Sequence, residues 1–200
     1  MMFAFFAGLL AGLLHVFSGP DHLAAVAPFA LNEKTARESS GLRVEGWKTG
    51  LQWGAGHTTG VLLIAALLLA LREQLPLDTI SAYSERLVGV ALIGVGTWGF
   101  WKAGRATRPH SHSGASFAMG TLHGVAGSSH LFGVLPALAF SVRAESFLYL
   151  AGFGIGAIAA MTAFAAGVSL FAIRFSRFNG LLYASSAAAL VIGGFWLVGR

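Results

Sequence analysis

The chain reads as an all-α integral membrane protein of six transmembrane helices. They form two inverted three-helix repeats, with the first and fourth helices broken or kinked. Three observations predict this. The 200 residues are 56% hydrophobic and only 10% charged, and the apolar runs approach the roughly 20 residues a helix needs to cross a bilayer. Polar and basic residues gather in short stretches between those runs. A pattern of histidine, glycine and proline near residue 15 returns near residue 123. One transmembrane domain, 1–200, then divides into a first repeat of about 1–108 and a second of about 109–200.

The first span runs from about Phe3 to Leu31 and is interrupted near Gly19-Pro20. A straight helix of that length would be on the order of 40 Å, longer than the ~30 Å hydrocarbon layer, so it must tilt or break. Proline cannot donate a helical hydrogen bond and pushes the preceding residue out of the α region. Ser18-Gly19-Pro20-Asp21 also reads as a helix start, with Pro in the first turn and an acid near the N-terminus. The first fifteen residues have no charged leader region, and the span continues past them, so a cleaved signal peptide is not expected. Span two covers Trp47–Leu71, span three about Arg86–Trp101, and span four Ala115–Phe140. Span five covers Phe147–Ile173 and span six Gly180–Val198. Arg72–Ser84 reads as a polar connection, and Arg143 and Glu145 as a tight turn.

Charge sets an orientation. Nine Lys and Arg follow spans one, three and five, and four lie on the other side. Basic residues favour the cytoplasmic side, so both termini face outward in a prokaryotic inner membrane. The net charge of +5 is accounted for in this way, and no nucleic-acid partner is expected. With no cysteine in the chain, disulfides, iron–sulfur clusters and thiolate metal sites are excluded. Trp47, Trp53, Trp98, Trp101 and Trp196 fall mostly near span ends and read as an interfacial belt.

The repeat has an offset of 108. LHVFSGPDHLAAVAPFA (14–30) aligns with LHGVAGSSHLFGVLPAL (122–138). His15 pairs with His123, His22 with His130, Gly19 with Gly127 and Pro28 with Pro136. Trp53-Gly54-Ala55-Gly56 resembles Phe153-Gly154-Ile155-Gly156, and Leu92–Trp98 resembles Leu190–Trp196. Three spans followed by a second copy must insert the opposite way up, a plan that places a transporter's site where the repeats meet. The copies differ where chemistry would reside: Pro20-Asp21 becomes Ser128-Ser129, and His57 becomes Ala157.

Ionisable groups are costly inside a membrane and usually mark a pathway or a site. Asp21 is the only acid within a hydrophobic span, and it adjoins His22, with His15 seven residues earlier. On a continuous helix Asp21 would point away from the shared face of His15 and His22. A break at Gly19-Pro20 can rotate it toward them. His15, Asp21 and His22, joined by His57 of the next span, offer nitrogen and oxygen ligands that suit nickel, cobalt, copper or zinc better than magnesium or calcium. His123 and His130 extend this candidate metal set, as a second side of the same cavity or as a successive site. His57 alone reads equally well as a helix–helix hydrogen-bond partner. His110 and His112 read as a solvated loop.

HVFSGPDHLAAV, followed one span later by WGAGHTTG, resembles the NiCoT nickel/cobalt transporter family, and most its short six-span UreH-like members. That family carries a His…Asp-His motif in one span and a Gly-His-Ser/Thr motif in the next. The matching residues here are His15, Asp21, His22 and His57. Five residues separate His15 from Asp21-His22, where the family pattern has four. The resemblance implies a permease, not an enzyme, that takes Ni2+ or Co2+ as transported substrate and holds no permanent cofactor. A soluble metallochaperone or nickel-enzyme accessory protein would be a partner beside the lipid bilayer, and homo-oligomers fit the same plan. The competing readings are a proton-coupled exporter of another small solute, with the histidines and Asp21 as a proton relay, and an intramembrane enzyme or haem protein. No HExxH motif supports an enzyme.

Overall fold

In the computed structural model, residues 1–35, 46–71, 77–103, 113–126, 129–175 and 178–198 are described. Among them the chain forms eight helices and no strand: α1 (Met2–Ser18), α2 (Pro20–Thr35), α3 (Gly46–Leu71), α4 (Leu77–Ala103), α5 (Ser113–Ala126), α6 (Ser129–Ala139), α7 (Arg143–Phe175) and α8 (Phe178–Val198). The first and fourth spans expected from the sequence are each two helices, α1–α2 and α5–α6.

The break between α1 and α2 has a local cause. Gly19 is extended, at φ −92° and ψ 97°, as the residue before a proline prefers to be. Its amide donates to the His15 carbonyl at 3.1 Å, and its own carbonyl accepts from the His22 amide at 3.1 Å. These two bonds run across the break, where the helix axes bend by 75°.

Two boundaries differ from the sequence reading. α4 begins at Leu77, so most of the polar connection expected at 72–84 is helix. Pro76 just outside and Asp78 in the first turn are helix-start residues. α7 begins at Arg143, with Glu145 in its first turn, where an acid complements the helix dipole.

On α1 the large apolar side chains lie outside and the small ones inside. On α1, Phe3, Phe6, Leu10, Leu14 and Phe17 are each more than half exposed. Ala4, Gly8, Gly12 and Val16 are buried on the opposite face. A helix of a water-soluble core would bury the large residues. Hydrocarbon removes that drive, and membrane helices instead associate through small residues that let backbones touch. α7, at Arg143–Ala172, is long and apolar enough to cross a bilayer, and the bent pair α1–α2 passes as one broken span. Gly89–Trp101 and Asn179–Phe195 are shorter apolar helices. Fewer segments thus meet the length criterion than the six spans that the sequence predicts.

The tightest seams join α1 to α7, α3 to α5 and α4 to α8. Contacts correspond between the first two. A Cβ on Gly12 would overlap the Phe153 carbonyl and approach the Ala157 amide, and one on Gly120 would do the same to Trp53 and His57. A Cβ on Gly156 would strike the Leu9 carbonyl, and one on Gly56 the Phe117 carbonyl. Gly12 and Gly120, Phe153 and Trp53, and Leu9 and Phe117 are the pairs that the repeat alignment makes equivalent. α1 therefore sits on α7 as α5 sits on α3.

Gly12→Leu and Gly120→Leu should each destabilise the fold by at least the roughly 1–3 kcal/mol typical of overpacking, because backbone atoms cannot move aside as a side chain can. Gly94→Ala, where an added Cβ meets nothing within 4 Å, should leave stability unchanged. Thermal unfolding in detergent separates the two classes.

Candidate metal centre

Four helices deliver the cluster. His15 lies one turn before the end of α1, Asp21 and His22 lie in the first turn of α2, His57 is mid-way along α3, and His123 is in the last turn of α5. Asp21, His22, His57 and His123 are at most 3% exposed, whereas His15 is half-buried.

His22 is the hub. Its Nδ1 lies 3.0 Å from Asp21 Oδ1, and its Nε2 lies 3.0 Å from His15 Nε2. A carboxylate only accepts, so Nδ1 of His22 carries the hydrogen. In the neutral ring Nε2 is then the acceptor, and Nε2–H of His15 donates to it. Asp21 Oδ2 lies 3.4 Å from His123 Nε2. The ring centroids of His57 and His123 stand 5.0 and 4.9 Å from that of His22, and His15 and His57 are stacked at 5.8 Å.

The 75° bend makes this geometry. It turns the first residues of α2 so that Asp21 and His22, adjacent in sequence, form one hydrogen-bonded pair. Gly19 leaves the room, since a Cβ there would collide with His22 Nδ1 and stand 2.9 Å from Asp21 Oδ1. Its backbone angles suit any residue, so the requirement at Gly19 is space.

Two groups of potential ligand atoms result. His15, His22 and His57 each place one within 4.8 Å of the others, as do Asp21, His22 and His123. His22 belongs to both. Three imidazoles, or two imidazoles and a carboxylate, match the donor preferences of divalent transition metals. A carboxylate hydrogen-bonded to a ligating imidazole also fixes the ring's tautomer and orientation.

An aromatic side chain closes each end of the cluster. Phe153 lies 5.4 Å from His15 and Trp53 lies 6.4 Å from His123, between centroids. These are the same contact in the two repeats. Trp53 packs in turn on Phe29 at 5.1 Å, which stacks on Trp98 at 4.8 Å.

Five of the six sequence-derived candidates, His15, Asp21, His22, His57 and His123, therefore converge. His130 falls in the first turn of α6, with its side chain outside the described residues, and His110 and His112 lie outside them entirely. The belt reading fails for Trp53, which is 1% exposed in the core beside the histidines. The usable signal was its alignment with Phe153, an aromatic four residues before His57 in one copy and before Ala157 in the other.

The chain is similar to three characterised proteins. It is 33% identical over 171 residues to the chloroplast protein FOR GROWTH AND FERTILITY 2 of Arabidopsis thaliana, covering 77% of this chain and 44% of that protein. To FOR GROWTH AND FERTILITY 1 of the same plant it is 30% identical over 182 residues, covering 80% and 47%. The chain thus spans slightly under half the length of these two relatives. To the urease accessory protein UreH of Bacillus sp. (strain TB-90) it is 27% identical over 176 residues, covering 78% of this chain and 72% of UreH. No family profile and no solved structure matches.

Gly19→Ala removes no ligand atom, yet it should displace the His22 ring and break its bond to Asp21. Histidine 15N resonances in micelles should report this as a changed tautomer signal for His22, with helix content by circular dichroism retained. An unperturbed His22 signal would contradict the packing described.

Proposed function

We propose that the chain is a secondary-type permease for a divalent transition-metal ion, nickel or cobalt, of the NiCoT kind. The observation that carries the reading is the convergence of four imidazoles and one carboxylate, from four helices, at a buried helix break. Such breaks are where many transporters hold their substrate. The similarity to a urease accessory protein supports nickel as cargo. The equivalent seams α1·α7 and α5·α3 support two inverted three-helix repeats, α1–α4 and α5–α8, whose mutual rocking exposes the cluster alternately to each side. Six spans then arise from α1–α2, α3, α4, α5–α6, α7 and α8. The shorter apolar stretches of α4 and α8 gain length from their flanking turns.

The chain's own residues strip and hold the ion. His15 and the buried histidines replace water with imidazole nitrogen, and Asp21 supplies the one negative charge that offsets the ion's charge in a low-dielectric setting. Coordination needs ring nitrogens free of hydrogen, so protons compete with metal. An acidic compartment favours release and a neutral one favours capture. The sequence contains no P-loop phosphate-binding motif, consistent with a gradient as the driving force.

Ni2+ or Co2+ should raise the melting temperature of the detergent-purified protein, and Mg2+ should not. A ligand that binds only the folded state at a hundredfold its Kd contributes about 2.7 kcal/mol. The shift should vanish in Asp21→Asn/His57→Ala and shrink as pH is lowered from 7.5 to 5.5. A melting temperature indifferent to every metal, with proton flux abolished by Asp21→Asn, would instead favour the proton-relay exporter, for which the hydrogen-bonded His15–His22–Asp21 run, with His123 3.4 Å from Asp21, is the supporting feature.

A further inference from the structure

We infer that the cluster holds one ion at a time in either of two successive positions, on the two sides of the His22 ring, and that His22 passes the ion between them. The inference rests on the permease reading and deepens it. The outer position is bounded by His15, His22 and His57, and the inner by Asp21, His22 and His123.

The geometry of one ring requires the division. Nε2 of His22 faces His15 at 3.0 Å, and Nδ1 faces Asp21 at 3.0 Å. These nitrogens have diverging lone pairs in the plane of the imidazole, so an ion on one cannot be bound by the other. A neutral imidazole also offers one lone pair at a time, because its second nitrogen keeps the hydrogen. With the ion outside, Nδ1–H donates to Asp21. With the ion inside, Nε2–H points at His15. The ring carries one hydrogen in both states: as the ion moves inward Nδ1 gives its proton to solvent and Nε2, freed of the ion, takes one from solvent, so the two occupancies are alternatives and the net charge of the site is the same in each.

Burial and charge give the order. His15 is half-buried, whereas every inner ligand is at most 3% exposed. The outer position is therefore reached first, and it is built of neutral imidazoles alone. The inner position adds the carboxylate of Asp21, which draws a dication deeper. The aromatic caps follow the same order, Phe153 beside His15 and Trp53 beside His123.

Co2+ binding to the full chain in detergent tests the inference. His15→Ala/His57→Ala should retain one Co2+ per chain on the inner ligands, and Asp21→Asn/His123→Ala one on the outer ligands. Each should be weakened by about 10–100-fold as supporting partners are lost. Their Co2+ absorption spectra should differ, since one ligand set contains a carboxylate and the other does not. His22→Ala should bind none, and both double variants should lose transport while keeping binding. A folded double variant that binds no Co2+ would overturn the inference in favour of one composite site. Should the variants fail to fold, anomalous diffraction from Co2+-loaded unaltered protein decides. Two partly occupied peaks flanking His22 support the two positions, and a single peak overturns them. Unaltered protein that binds no Co2+ at all would instead remove the permease reading on which the inference rests.

Discussion

Backbone-to-backbone approach at a few glycines sets the spacing on which the cluster depends. Gly12 lets α1 rest on the Phe153 carbonyl, and Gly120 lets α5 rest on the Trp53 carbonyl. These contacts fix how far His15 stands from α7 and how far His123 stands from α3. The ligand nitrogens sit on side chains only a few bonds long, so an extra methyl at either seam would move them by more than coordination tolerates. On α1 the large residues already face outward, so burial of large side chains on that helix does not offset the loss. Packing and ligand geometry are therefore one constraint, carried by residues that bind nothing themselves.

The cluster is a local departure from symmetry on a nearly symmetric frame. Gly12 with Phe153 and Ala157 repeats as Gly120 with Trp53 and His57. Only the second copy of that contact carries a histidine. Likewise, Gly19 and Gly127 align, but only the first copy follows with Pro-Asp. The bond of His22 to Asp21 and the contact of His57 with His22 thus arise at positions where one repeat was altered. Equivalent residues His15 and His123 then stand around His22, whose own counterpart in the alignment is His130. A two-fold frame supplies two similar walls, and the altered residues make the interior directional.

Much of this was legible in the sequence, for physical reasons that differ by residue. His15, Asp21 and His22 were readable because a carboxylate and two imidazoles inside an apolar run are too costly to be incidental. The break was readable because proline constrains the residue before it, and the offset of 108 singled out His123 as the equivalent of His15. His57 was ambiguous, since one membrane histidine is as often a packing partner as a ligand, and its place beside His22 is visible only in three dimensions. Trp53 was misread because position near a span end was given more weight than its equivalence to Phe153. The start of α4 was misplaced because polar residues at 77–85 are compatible with a helix, while hydropathy reports only its apolar part. The space needed at Gly19 was invisible, since its backbone angles would suit other residues, and only the position of the His22 ring excludes a side chain.

The placement of Asp21 is the remaining step. A single carboxylate at most 3% exposed among apolar helices is unfavourable unless hydrogen-bonded and balanced. His22 Nδ1 bonds one of its oxygens at 3.0 Å and His123 Nε2 of another helix stands 3.4 Å from the other, so the acid lies between α2 and α5. A cation that takes up the Asp21 oxygens competes with those same contacts. A cation there would therefore exchange a contact between α2 and α5 for a link through itself. A coupling of this kind would tie the state of the site to the relative position of α2 and α5. It would act beside the α1–α7, α3–α5 and α4–α8 seams, which carry most of the packing.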